Sequence, residues 1–177
     1  MSKISTDTPI TIRQFVQSDQ AMVQDLFIRT NRELSPPDMI DAFETYIQRS
    51  LVEEIDQLEE YYNQRNGMFF VAKKFNEIAG MFGIETVESK VMELRRMYVN
   101  QSYRGQGLGH IFLNYAENYC RSNGAVQLIL STSEIQIAAL SLYKKSGYTI
   151  TGEEVADSMS NKTVGGQLRR YYFKKNL

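Results

Sequence analysis

The stretch that most restricts the fold is a glycine-rich loop at residues 102–110, which reads SYRGQGLGH. Gly105, Gly107 and Gly109 stand at alternate positions behind Arg104, between a predicted strand and a predicted helix. Unpaired backbone amides and the positive end of a helix dipole face the same point in such a turn. The loop therefore predicts an anion site. A glycine-rich turn that binds nothing is the alternative.

The spacing of the glycines excludes two common nucleotide-binding loops. A Walker loop needs G-x-x-x-x-G-K followed by Ser or Thr, and the chain has no such run. A dinucleotide fingerprint needs G-x-G-x-x-G early in a βαβ unit, whereas here the third glycine comes one residue too soon, in mid-chain. The loop thus predicts a pyrophosphate held by backbone amides, with Arg104 adding charge-assisted hydrogen bonds.

The apolar periodicity on either side of the loop predicts one α+β or mixed α/β domain with a largely antiparallel front half. A strand at 10–12 and two helical regions, ending at Pro36-Pro37 and at Asn66-Gly67, come first. The later elements are strands at 68–72, 78–86 and 90–99, a helix from 108, a strand at 126–130, a helix ending at Gly147, and strands at 148–151 and 167–173. Residues 152–166 are predicted to be a polar, mobile connection.

Length and composition restrict the domain count, the partners and the compartment. With 177 residues, 42% of them apolar, the chain suits a single domain over residues 1–177. A net charge of −1 predicts neither nucleic acid nor membrane as a partner. No secretory signal or membrane-spanning run is recognisable, so the predicted compartment is the cytoplasm. One cysteine, Cys120, and one histidine, His110, predict no intrachain disulfide and no metal site.

Two separated motifs resemble those of the GCN5-related N-acetyltransferases, the GNAT superfamily. Arg104, Gly107 and Gly109 match the R/Q-x-x-G-x-G/A motif that members carry between a bulged strand and a helix. Further along, LYKKSGY at residues 142–148 matches a family context LYxKxGF, with tyrosine in place of the last phenylalanine. Many members have asparagine seven residues before the motif tyrosine, where this chain has Gln136.

The resemblance implies a fold, a cosubstrate and a set of binding residues. The implied fold is a mixed, mostly antiparallel twisted sheet of about seven strands flanked by about four helices. The implied cosubstrate is acetyl-CoA, its pantetheine arm beside the strand that precedes the loop and its pyrophosphate on the loop. No metal is implied, and homodimers are common in the family. The implied cofactor-binding residues are Met97, Tyr98, Val99, Arg104, Gly105, Gln106, Gly107, Leu108, Gly109, Gln136 and Tyr143.

Glu93 is the candidate general base for acetyl transfer to an amine. The amine must be neutral when it attacks, yet a lysine-like amine has a pKa of about 10.4. Glu93 lies four residues before Met97 in the predicted strand, and some family members use a glutamate at the matching position to deprotonate the amine. The alternative is that Glu93 only forms an ion pair with Arg95 or orients the substrate.

Tyr143 is the candidate general acid. A phenol keeps its proton at neutral pH and can donate it to the leaving thiolate. The alternative is a core tyrosine on the apolar face that also carries Leu140. The oxyanion of the intermediate would be held by a backbone amide near Met97 or Tyr98 if the strand bulges there.

The predicted function is transfer of an acetyl group from acetyl-CoA to a primary amine of a small molecule, peptide or protein by direct attack. The alternative is a catalytically inactive acyl-CoA-binding regulatory module. The acceptor site is expected around residues 28–62 and 152–166, with 31–38 lining its entrance. The acidic residues between Glu53 and Glu60 are predicted to form a solvated helix face, or alternatively to steer a cationic substrate.

Overall fold

The computed structural model describes residues 9–177, which form seven strands and five α-helices. The strands are β1 (Thr11–Gln14), β2 (Met68–Lys74), β3 (Glu77–Glu88), β4 (Val91–Val99), β5 (Gln127–Ser133), β6 (Thr149–Ala156) and β7 (Leu168–Asn176). The helices are α1 (Gln20–Leu34), α2 (Ile40–Glu53), α3 (Leu58–Asn63), α4 (Leu108–Ser122) and α5 (Ile137–Lys145). The predicted order is confirmed, except that the second helical region divides into α2 and α3.

One sheet contains all seven strands in the order β1-β2-β3-β4-β5-β7-β6. Every neighbouring pair is antiparallel except β4 and β5, which are parallel and joined through α4. β4 and β5 pair only where residues 91–93 face residues 127–129, and beyond Glu93 the two strands separate. The mostly antiparallel mixed sheet confirms the predicted fold class, and the separation opens a gap in its middle.

Apolar clusters lie on both faces of the sheet. One cluster packs α4 and α5 against the sheet through side chains such as Phe112, Leu113 and Phe82. The other packs α1, α2 and α3 through side chains such as Phe27, Ile47 and Met81. Neighbouring residues of β3, Met81 and Phe82, belong to opposite clusters, as strand alternation requires. The gap between β4 and β5 therefore lies between two packed helical layers.

A β-bulge interrupts β4 near the start of this gap. Two residues, Arg96 and Met97, stand opposite the single residue Phe82 of β3. Arg96 has a φ of 52°, a left-handed conformation that is uncommon for a residue with a side chain and persists only where its surroundings fix it. This is the bulge on which the predicted oxyanion contact depends.

The predicted polar connection at 152–166 is wrong over its first five residues. β6 continues to Ala156, and its residues pair with β7 up to Leu168. The connection that remains, residues 157–167, folds back on itself through a bridge between Ser160 and Thr163. It also contacts the helices, since Arg49 of α2 donates a hydrogen bond to the Met159 carbonyl at 3.2 Å. Within residues 9–177, no helix is both long and apolar enough to cross a bilayer.

Replacement of Gly83 by alanine is expected to destabilise the protein by about 2–3 kcal/mol, because a Cβ there overpacks the core. That Cβ would lie 2.2 Å from the hydroxyl oxygen of Tyr62. Tyr62 is fully buried and its hydroxyl is hydrogen-bonded to Glu54, so the ring cannot move aside. Urea unfolding measures the change. Gly152→Ala is the control, since nothing lies within 4 Å of its added Cβ. Equal midpoints for the two variants would contradict the packing argument.

Candidate active site

Two concavities meet in the gap between β4 and β5. One, the apolar groove, has a volume of about 550 Å³ and follows β4 from Met97 to the glycine loop and the start of α5. The other, the polar pocket, has a volume of about 90 Å³ and is lined by Glu93, Tyr143, Lys162 and Arg170 among others. Met97, Tyr98 and Gln136 line both, so the two spaces share a wall.

Most of the predicted cofactor residues line the apolar groove. Those that do are Met97, Tyr98, Val99, Arg104, Gly105, Gly107, Leu108, Gly109 and Gln136. Gln106 does not line the groove, and its side-chain amide donates to the Ser102 carbonyl at 3.4 Å. Tyr143 lines the polar pocket next to the groove. One elongated surface thus gathers residues from β4, the loop, α4 and the turn before α5.

The glycine loop has the conformation that the sequence predicts for a phosphate-binding turn. Gly105 and Gly107 have φ values of 76° and 78°, where a side chain is strained, and an added Cβ at either position would meet nothing within 4 Å. Gly107 directly precedes α4, and no side chain caps the first turn of that helix. The first backbone N–H groups of a helix have no intrahelical partner. An open, amide-rich helix N-terminus therefore borders the groove.

Arg104 and Gly109 have structural partners of their own. The Arg104 guanidinium donates to Glu33 of α1 at 2.9 Å and to the Val99 carbonyl at 3.1 Å. A Cβ on Gly109 would lie 2.7 Å from a methyl carbon of Leu142, so glycine there allows α4 and α5 to pack closely. Arg104 is thus held beside the groove by Glu33, and a bound anion would compete with that carboxylate for the guanidinium. Gly109 allows the close packing of the two helices.

Tyr143 combines a buried ring with an available hydroxyl. Its ring packs against Tyr148 and Phe173, with centroid distances of 6.1 and 5.7 Å. Burial raises the pKa of Tyr143, so the phenol stays protonated well above neutral pH. Among residues 9–177 no group forms a hydrogen bond with its hydroxyl, and the residue lines the polar pocket. The side chain is therefore a core tyrosine that also presents a proton to the pocket.

Glu93 lies where β4 and β5 separate. It is buried, and its carboxylate accepts a hydrogen bond from the Lys162 ammonium at 2.6 Å. The alternative interpretation, an ion pair with Arg95, is wrong. The Arg95 guanidinium instead reaches Glu54 at 2.9 Å and Glu85 at 3.2 Å. Among residues 9–177, Glu93 is left with one side-chain partner, which belongs to the connection between β6 and β7.

Glu54 binds both arginines of β4. Its Oε2 accepts from Arg95 at 2.9 Å and from Arg96 at 2.7 Å, while its Oε1 accepts from the Tyr62 hydroxyl at 2.8 Å. The prediction of a solvated face is wrong for this residue, which is fully buried. Burial alone would raise the pKa of Glu54, but Arg96 and Arg95 outweigh burial and hold the pKa below its usual value. The carboxylate is therefore charged, and it fixes both guanidinium groups beneath the polar pocket.

Several pocket residues were not identified from the sequence. Lys162 lies within 152–166, the stretch expected to shape the acceptor site, but no motif distinguishes it. Arg170 is one of two adjacent arginines on β7, Arg169 and Arg170. Strand alternation predicts that only one of the two faces the pocket, but not which one. The expected entrance at 31–38 contributes Asn31 and Leu34 to a small pocket that Lys162 and Arg170 also line. Within residues 9–177, no three His, Cys, Asp or Glu side chains group as metal ligands would.

Comparison with known sequences identifies acetyltransferase relatives. Human N-acetyltransferase 8 is 26% identical over 114 residues, which is 61% of this chain and 50% of that protein. Rat N-acetyltransferase family 8 member 2 is 25% identical over 137 residues, 75% of this chain and 59% of that protein. The matched region thus spans about half the length of these curated relatives.

Comparison with solved structures identifies the same fold. The PaiA N-acetyltransferase of Thermoplasma acidophilum, solved with coenzyme A, superposes with a TM-score of 0.75 at 18% identity, covering 96% of this chain and 100% of that one. The yncA protein of Salmonella typhimurium, solved with its cofactor acetyl-CoA, has a TM-score of 0.70 at 16% identity, covering 96% of this chain and 95% of that one. The family model described as the acetyltransferase (GNAT) family matches residues 28–148, more than half of the chain. This protein therefore belongs to the GNAT acetyltransferase family.

Proposed function

We propose that this protein is an acetyl-CoA-dependent N-acetyltransferase that acts on a primary amine. The observation that carries the proposal is the gap between β4 and β5. It joins an open helix N-terminus, a strand edge and a buried protonated tyrosine in one surface. The coenzyme A and acetyl-CoA bound to the two structural neighbours support the choice of cosubstrate.

The apolar groove suits the shape and chemistry of acetyl-CoA. The pyrophosphate would bind the backbone amides around Gly107, where the helix dipole favours negative charge. Because the pairing of β4 with β5 ends at Glu93, the β5-facing edge of residues 97–99 has no strand partner. The amides of the pantetheine arm would pair with that edge as an added strand does. The thioester would then arrive where the groove meets the polar pocket.

The proposed reaction assigns one proton to each side chain. Glu93 takes one proton from the acceptor ammonium, and the neutral amine nitrogen then attacks the thioester carbonyl carbon. The nitrogen of the tetrahedral intermediate releases its second proton to solvent. A backbone amide at the bulge beside Met97 stabilises the oxyanion. When the C–S bond breaks, the coenzyme A thiolate takes the proton of the Tyr143 hydroxyl, and solvent restores that proton. The raised pKa of Tyr143 keeps the donor protonated throughout the neutral range.

Gly107→Ala is expected to weaken acetyl-CoA binding at least tenfold, since a methyl group would stand among the amides that hold the pyrophosphate. Gly124→Ala is a matched control at the other end of α4, with the same φ of 78° and equally open space. Both substitutions cost similar backbone strain, so only binding separates them. Calorimetric titration measures the affinities, and acetyl-CoA at a hundred times its Kd would stabilise the parent protein by about 2.7 kcal/mol. Equal affinities in the two variants would contradict the assignment.

Tyr143→Phe is expected to lower kcat about a hundredfold, with little change in acetyl-CoA affinity, since a general acid contributes on that order. Tyr148→Phe is the control. It removes a hydroxyl that donates to Glu117 at 3.1 Å and does not line the pocket. The substitution should therefore affect stability more than kcat. Thiol release followed at saturating acceptor gives the kcat of both variants. Unchanged turnover in Tyr143→Phe would remove this residue from the acid role.

Glu93→Gln is expected to lower kcat at neutral pH about a hundredfold, and this deficit should narrow as pH rises. The reason is that an acceptor amine with a pKa of about 10.4 becomes neutral without help at higher pH. Glu88→Gln removes the same charge from an exposed position at the end of β3 and should behave as the parent does. A deficit that stays constant across the pH range would show that Glu93 orients groups rather than accepting the proton.

A further inference from the structure

The charges that face the polar pocket are balanced with one exception. The pocket is lined by four cationic side chains, Arg95, Arg96, Lys162 and Arg170, and by one anionic side chain, Glu93. The charges of Arg95 and Arg96 are neutralised by carboxylates that do not line the pocket. Glu54 pairs with both arginines, and Glu85 forms a second ion pair with Arg95. Lys162 is neutralised by Glu93. Arg170 alone remains.

Arg170 is held in place without a counter-ion. Its guanidinium donates to the Ser131 hydroxyl of β5 at 2.7 Å. The carboxylate nearest in the strand register belongs to Glu154 of β6, and that carboxylate accepts the hydroxyl of Tyr172. Among residues 9–177, no carboxylate forms an ion pair with Arg170. Ser131 thus orients a half-buried cation that lines the pocket, and the Tyr172 hydroxyl, which donates to Glu154, also lies near the Arg170 guanidinium.

This charge arrangement disfavours a simple cationic amine as the acceptor. An alkylamine reaches the site as an ammonium ion, since its pKa is about 10.4. To reach Glu93 it must displace the Lys162 ammonium, and it then lies in a pocket with two cations that have no anion. Like charges within one small pocket oppose binding. A second group on the acceptor, carrying negative charge, would remove the conflict.

We propose that the acceptor is a small amino-carboxylate whose ammonium group binds Glu93 and whose carboxylate binds Arg170 and the displaced Lys162. This inference rests on the proposed function and specifies the acceptor of that same site. After the exchange each charged group contacts an opposite charge, because the ligand ammonium takes Glu93 and the ligand carboxylate lies between Arg170 and Lys162. The planar guanidinium of Arg170 matches a carboxylate through two parallel hydrogen bonds, one of the stronger polar contacts in proteins.

Matched acceptors that differ in the carboxylate test the proposal. Leucine is compared with isoamylamine, which lacks the carboxylate, and with leucinamide, which keeps the shape but not the charge. Phenylalanine with phenethylamine and β-alanine with ethylamine extend the comparison to other side chains and spacings. The ratio of kcat/KM within a set, measured by thiol release from acetyl-CoA, is expected to favour the carboxylate at least tenfold in one or more sets. Leucinamide has the more easily deprotonated amine, so basicity alone would favour it over leucine.

Two neighbouring arginines of β7 provide the variants. Arg170→Gln is expected to lower the carboxylate preference at least tenfold, because loss of one charge-assisted contact has that size. Arg169→Gln removes the same charge from the adjacent residue, which pairs with Glu153 and does not line the pocket. Its preference ratio should equal that of the parent protein. The ratio within one variant also cancels any general loss of folded enzyme.

The outcomes separate this inference from the function on which it rests. Thiol release with amines and amino-carboxylates at equal kcat/KM would overturn the inference and leave the proposed acetyltransferase intact. A preference for the carboxylate that Arg170→Gln does not reduce would overturn the assignment of Arg170. Binding of acetyl-CoA without thiol release from any acceptor would overturn both proposals and favour a regulatory module that binds acyl-CoA.

Discussion

One buried carboxylate organises the centre of this protein. Glu54 binds the guanidinium groups of Arg95 and Arg96, which are consecutive residues of one strand. Consecutive strand residues normally point to opposite faces, so both can reach the same oxygen only because the bulge reverses Arg96. The ion cluster and the left-handed backbone therefore require each other. Buried ion pairs often add little net stability, and here the evident benefit is geometric, because the cluster fixes the direction of the strand beside Met97.

The elements of the fold are largely predictable because their signals are local. Alternating apolar residues, proline and glycine at the ends, and the loop after β4 locate most strands and helices within a few residues. Glu54 shows where this reasoning fails. An acidic residue beside other acidic residues at a helix end is typical of solvent exposure, and only Arg95 and Arg96, more than forty positions away, make its burial favourable. No window of local sequence contains that information.

The apolar groove and the polar pocket also differ in how far local sequence can predict them. The apolar groove takes most of its lining from residues 97–110 and 135–142, two short stretches, so a motif can describe it. The polar pocket takes residues 93–98 from β4, but the rest of its lining comes from separate elements, namely α2, β5, α5 and the residue before it, the connection between β6 and β7, and β7 itself. Lys162 and Arg170 are ordinary basic residues in the sequence. They gain significance only when the sheet order places β7 beside β5, which brings Arg170 to Ser131.

Glu93 has two successive partners in the proposed reaction. Before the acceptor arrives, Lys162 satisfies the buried carboxylate, which would otherwise be an unpaired charge of high energetic cost. The acceptor ammonium then replaces Lys162, and the lysine, freed from Glu93, is available to the acceptor's own negative group beside Arg170. The same exchange of ion pairs therefore recognises the acceptor and gives it access to Glu93. An amine without the negative group can take the place of Lys162 only by leaving the Lys162 ammonium unpaired. The ion pair that neutralises Glu93 before the acceptor binds therefore also selects which acceptor reaches Glu93.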